Sequence, residues 1–287
     1  MLRRILTAAV LIPVVVLIVM RGPWLLVAGT ATVVLLLAMH EFFNLGDRMG
    51  LRAYRHWTML CTIGLMYAQW VAGLDNREVT SQVETVLHTS GPFSSIEFVA
   101  IVFVFGVVII GVVNRQAIAD ILPAMAMSAA GFVFVAFPFS YLIRVVELQP
   151  NGRKLVLFTL VLVWAGDMLA YFIGRSFGHA RMAPTLSPKK TWEGAAANLA
   201  ASLVVASFFA RWVGMDGLTL FVIAGLANIA GQLGDLIESA YKRGAGTKDS
   251  SALLPGHGGV LDRIDSLILA APVVWWSLVL LQQGFHL

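Results

Sequence analysis

Apolar residues fall along this chain in long blocks separated by short polar stretches. The runs cover 5–20, 24–43, 56–73, 96–113, 121–143, 155–174, 195–213, 218–237 and 267–281. Most of them approach the roughly 20 apolar residues that a helix needs to cross a bilayer. None alternates with period two, so the backbone groups must be satisfied within helices and not in a barrel. The pattern predicts an all-α polytopic integral membrane protein with about nine transmembrane helices. Pro13, Pro123, Pro138 and Pro272 are expected at kinks or helix ends. The opening, Arg3-Arg4 before an apolar run, has the look of a secretory leader. Arg21-Gly-Pro then stands where a small-residue cleavage site would be, so the run is read as a retained first span.

Composition supports the same class. Of 287 residues, 59% are hydrophobic and 13% charged, with a mean hydropathy of +0.82. A soluble domain carries about 25% charged residues, so a water-facing surface of ordinary size is excluded, as are disordered and coiled-coil designs. The net charge is +4, but the basic residues sit in short connections and not in a stripe. They are expected to set topology and meet lipid headgroups, with no nucleic-acid partner. With the N-terminus in the cytoplasm and nine spans, 14 of the 20 Lys and Arg residues fall on the cytoplasmic side, and only the segment 144–154 runs strongly against the rule. Cys61 is the single cysteine, which rules out a disulfide within the chain.

Two polar segments, 175–194 and 238–265, do not look like plain connections. If the helix around 218–237 continues, Asp235, Ser239 and Lys242 lie at i, i+4 and i+7 on one face. Asp262 and Asp265 share a face of the next helix. Between them lies Pro255-Gly-His257-Gly-Gly, where backbone can approach a ligand closely. Acids gathered in this way suit a divalent cation holding phosphates, and Mg²⁺ typically takes one or two carboxylates plus phosphate oxygens. Lys242, Arg243, Lys248 and Arg263 would meet the remaining phosphate oxygens. The blander alternative is a solvated loop in which these four bases cancel Glu238, Asp249, Asp262 and Asp265. In the other segment, Ser187, Lys189, Lys190 and Thr191 precede a helix start, a pattern suited to an anion. The glycine spacing of a Walker loop is absent. Asp167 is an intramembrane acid, either functional or paired with Arg175 or another helix.

The run from Ser239 through Lys242-Arg243, Lys248-Asp249, His257-Gly-Gly and Asp262-Arg263-Ile-Asp265 resembles the signature of the phosphatidate cytidylyltransferase, or CDP-diacylglycerol synthase, family. Ser187-Pro-Lys-Lys-Thr-Trp-Glu-Gly and Ala170-Tyr171-Phe172 are similar to it as well, and Glu41-Phe42 is a weaker echo. The resemblance covers about 164–266. Tyr241 and Met168 depart from the pattern, while its acids and bases all stand. The chain divides into N-terminal helices at 1–143 and a catalytic region at 144–287, with the signature at 239–265.

The resemblance implies transfer of a cytidylyl group from CTP to phosphatidate, giving CDP-diacylglycerol and pyrophosphate in phospholipid biosynthesis. It implies catalytic roles for Asp235, Lys242, Asp262 and His257. Phosphate contacts fall to Ser187, Lys189, Lys190, Thr191, Ser239, Arg243, Lys248 and Arg263. Mg²⁺ would lie on Asp235 and Asp262, with Asp265 and Asp249 as further ligands and room for a second cation. His257 would position the nucleophile, serve the leaving group, or brace the glycine turn. The expected setting is a bacterial inner membrane with the site facing the cytoplasm. Gly174 and Gly178 permit close helix packing, including that of a homodimer. Two other readings are a cytidylyltransferase acting on another lipid phosphate and a secondary transporter. Against the transporter, the ionisable residues gather at one membrane face and do not trace a path across.

Overall fold

The computed structural model describes residues 2–74, 95–114, 117–254, 256 and 258–282. Its helices are α1 (Leu2–Arg21), α2 (Trp24–Arg48), α3 (Arg55–Leu74), α4 (Ile96–Val113), α5 (Ile118–Gly131), α6 (Phe137–Glu147), α7 (Gly152–Phe177), α8 (Trp192–Val213), α9 (Gly217–Gly244) and α10 (Leu261–Gln282). A π-helical turn, Phe132–Ala136, joins α5 to α6, and a short antiparallel hairpin, β1 (Arg181–Ala183) and β2 (Ser187–Thr191), lies between α7 and α8. Every apolar run of the sequence is helical. Among the described residues, 7 helices are long and apolar enough to cross a membrane, with Ile118–Glu147 as one rod. The chain is therefore an all-α polytopic membrane protein. The count of nine adds α1 and α3, and for those two it rests on the sequence pattern alone.

The outer faces carry Val112, Ile118 and Phe208, which are 79%, 88% and 76% exposed. In water such surface would cost about 25 cal/mol per Å²; against lipid tails it costs nothing comparable. Phe43, Phe139, Phe158 and Leu220 fill the interior. Some of the polar groups inside are paired: Gln69 Nε2 donates to Ser140 Oγ at 2.8 Å, and Tyr54 N–H to Ser128 Oγ at 2.8 Å.

The prolines act in different ways. Pro13, Pro123 and Pro272 lie inside helices without ending them. Pro138 follows the π turn, where Phe137 N–H reaches back to Phe132 O. Proline has no N–H for the carbonyl four residues earlier, and its ring crowds that carbonyl. One wider turn before it relieves both problems.

The most extensive packing is α7 on α8, then α9 on α10 and α8 on α9. This four-helix frame carries the polar segments. A side chain at Gly234 would run into the backbone oxygen of Asp265, so glycine there lets α9 and α10 cross closely. Position 143 falls within α6, which packs on both α3 and α10, so the N-terminal helices and the C-terminal region share one continuous core.

Candidate active site

Helix α9 runs past the apolar stretch to Gly244, which places Asp235, Ser239 and Lys242 on one helix as the spacing required. The close crossing with α10 brings Asp265 to the same level. Asp235, Glu238 and Asp265 form a group whose candidate ligand oxygens all lie within 4.8 Å of one another. Glu238 is buried and ion-paired with Lys242, yet its Oε1 has no hydrogen-bond partner among the described residues. Lys242 Nζ also lies 2.7 Å from Asp262 Oδ1, and Lys190 Nζ 2.6 Å from Asp235 Oδ2. Four carboxylates thus face two ammonium groups. The orphaned buried oxygen and the excess of negative charge fit a divalent cation bound by Asp235, Glu238 and Asp265.

Asp262 is placed differently. Its Oδ2 accepts from Ser250 N–H (3.0 Å), Ser250 Oγ (3.0 Å) and Gly259 N–H (2.8 Å), and Oδ1 takes Lys242. It fastens the loop after α9 to the first turn of α10 and stands outside the group of three acids. Gly258, at φ +80, makes the turn that aims Gly259 N–H inward, a backbone geometry suited to glycine. Asp249 and Lys248 are exposed on this loop, and Asp249 also stands outside the acid group. His257 lies outside the described residues.

The Ser187–Thr191 segment is strand β2, paired with β1 through Ala183–Ser187 and Arg181–Thr191. Lys189 points outward and Lys190 reaches α9. The expected anion pocket at the helix start is partly filled by the chain itself. Thr191 Oγ1 accepts from Gly194 N–H at 3.2 Å as the cap of α8, and Glu193 Oε1 accepts from His179 and Ala180 N–H, both at 3.1 Å. Arg243 is exposed and holds Leu186 O at 3.4 Å, which ties the hairpin to the end of α9. Ser239 is half-buried and Arg263 exposed on their helices. Gly174 and Gly178 face Thr191 and, for Gly174, Gly194 of the same chain. Their small surfaces are used internally and give no warrant for a homodimer.

Residues 2–281 match the cytidylyltransferase family. The chain belongs to that family. A phosphatidate cytidylyltransferase of Haemophilus influenzae is 50% identical over 128 residues, 42% of this chain and 44% of that protein. One of Bacillus subtilis is 37% identical over 150 residues, 52% and 56% of the two chains. One of Brucella abortus is 44% identical over 151 residues, 51% and 55%. The chain spans about half the length of the curated relatives it matches.

In this cytidylyltransferase family member several residues of the site escape a reading of the sequence. Glu238 looks like an ordinary i, i+4 partner of Lys242, which it is, but helix crossing also makes it a neighbour of Asp265. Asp167 does not pair with Arg175, which donates to Tyr171 Oη at 2.8 Å. It accepts from Asn198 Nδ2 at 3.3 Å, the end of a chain in which Asn228 Nδ2 donates to Asn198 Oδ1 (2.5 Å) and Gln232 Nε2 to Asn228 Oδ1 (2.6 Å). Single amides in apolar runs gave no signal of that network.

Proposed function

We propose that this protein transfers the cytidylyl group of CTP to phosphatidate, releasing pyrophosphate and leaving CDP-diacylglycerol. The observation that carries this reading is the meeting of an acid cluster with a basic hairpin at the end of a lipid-facing helical frame. Beside that cluster a small apolar recess, lined by Phe134, Ile237, Tyr241 and Leu269, also touches Glu238 and Asp265. A phosphate headgroup with acyl chains has the matching polarity.

In the reaction a phosphate monoester oxygen of phosphatidate attacks the α-phosphorus of CTP. A new P–O bond forms, the bond to the β-phosphate breaks, and pyrophosphate leaves. The nucleophile is already anionic near neutral pH, so positioning and charge matter more than a strong base. Lys190, Lys189, Arg243, Lys248 and Arg263 would hold phosphate oxygens and bring two anions together. Ser187 and Ser239 would add hydroxyl donors. Lys242 keeps Glu238 and Asp262 in place. Mg²⁺ would be held by Asp235, Glu238 and Asp265, and when bound it supplies positive charge beside the phosphates. The setting is the inner membrane of a bacterium, with the site open to cytoplasmic CTP; the bias of Lys and Arg along the sequence and the bacterial relatives support this.

The test is purified protein with CTP, Mg²⁺ and phosphatidate, followed by pyrophosphate release and by mass spectrometry of the lipid product. Release no greater than that of an Asp262→Ala control overturns the reading. Turnover only with a different lipid phosphate would move the substrate, and ion-coupled uptake into proteoliposomes without turnover would support a transporter instead.

A further inference from the structure

Glu41 lies on α2, far in sequence from the signature, and is 3% exposed. Its two carboxylate oxygens take four donors, two from the middle of the loop between α9 and α10 and two from the start of α10. Oε1 accepts from Ser251 Oγ (2.6 Å) and Val260 N–H (3.0 Å). Oε2 accepts from Ser250 Oγ (2.9 Å) and Leu261 N–H (2.8 Å). The last two residues before and within the first turn of α10 present unpaired backbone N–H groups, where a carboxylate is favoured by both hydrogen bonding and the helix dipole. Ser250 Oγ lies 3.0 Å from Asp262 Oδ2 as well. A hydroxyl has one proton, so Ser250 is shared between the two carboxylates and relays the position of one to the other. A side chain at Gly259 would strike Ser250 Oγ and Glu41 Oε2, so the clamp also dictates glycine there.

We propose that Glu41 is a positioning residue of the transfer site: it clamps residues 250–251 to residues 260–261 and, through Ser250, fixes Asp262 and hence the Lys242 it holds. A helix of the N-terminal half thereby becomes part of the catalytic assembly. Loss of the negative charge leaves backbone donors facing an amide and loosens the loop without removing any group from the phosphates. The effect therefore falls on turnover and not on substrate affinity.

This inference rests on the proposed cytidylyl transfer, so wild-type protein is assayed in parallel. Glu41→Gln keeps the side-chain size. It is expected to lower kcat about 100-fold while KM for CTP and phosphatidate stays within about threefold. Ser250→Ala cuts the relay and leaves Glu41 three of its four donors; it is expected to lower kcat about tenfold, with a Tm in detergent within about 2 °C of wild type. A merely structural clamp would lower Tm in both variants and leave kcat per folded molecule unchanged. If Glu41→Gln does not yield folded protein, Ser250→Ala decides alone. A kcat within about twofold of wild type in whichever variants fold overturns the proposal. A wild type without pyrophosphate release overturns the proposed function instead.

Discussion

Lys190 Nζ on strand β2 stands 2.6 Å from Asp235 Oδ2 on α9, with 26% and 28% of the two side chains exposed. This ion pair joins the hairpin to the acid cluster. Pairs that keep partial access to solvent contribute about 0–1 kcal/mol to stability. The contact is therefore weak enough for a phosphate to take Lys190 from Asp235, while its position keeps the ammonium at the cluster.

Replacing Lys190 by methionine should barely change stability, by under about 1 kcal/mol. It should raise KM for CTP about tenfold. A melt in detergent and steady-state pyrophosphate release check both arms. A large loss of Tm with unchanged KM would mean the residue is structural.

Lys242 behaves in the opposite way. It is 13% exposed and ion-paired with both Glu238 and Asp262, whose side chains are 4% and 5% exposed. Lys242→Met leaves two buried carboxylates without their cation, and removing one member of a buried pair costs about 3–5 kcal/mol. The variant should melt well below wild type. An unchanged melting temperature would show that the acids are neutral or solvated.

Divalent metal should bind the native state through Asp235, Glu238 and Asp265. A ligand at 100 times its Kd adds about 2.7 kcal/mol to stability. Titrating Mg²⁺ in the absence of nucleotide should therefore raise the Tm of the wild type and have little effect on Asp265→Asn or Glu238→Gln. Equal shifts in all three would place the ion elsewhere.

The hairpin should face the cytoplasm. Cys61 is buried and the single cysteine, so Pro184→Cys on the exposed turn between β1 and β2 adds one accessible thiol. In cells with a sealed inner membrane, an impermeant maleimide should label it only after permeabilisation. Labelling in intact cells would reverse the topology.

Much of the protein is determined by the sequence alone. Blocks of apolar residues near bilayer length leave helices as the one way to satisfy the backbone, and the helices appear at each block. The mixed run from Ser239 to Asp265 pointed to phosphate chemistry because its charges occur at helical spacing beside glycines. Tertiary structure decided which charges meet. Periodicity places Asp235 and Lys242 on one face, but it says nothing of the angle at which α9 crosses α10. That crossing groups Glu238 with Asp235 and Asp265 and gives Asp262 to the loop. Glu41 was legible only as a faint echo, since a lone acid at the end of an apolar run carries no record of the distant loop it will hold. Contacts between residues some two hundred positions apart depend on packing of the whole bundle, which local spacing does not encode.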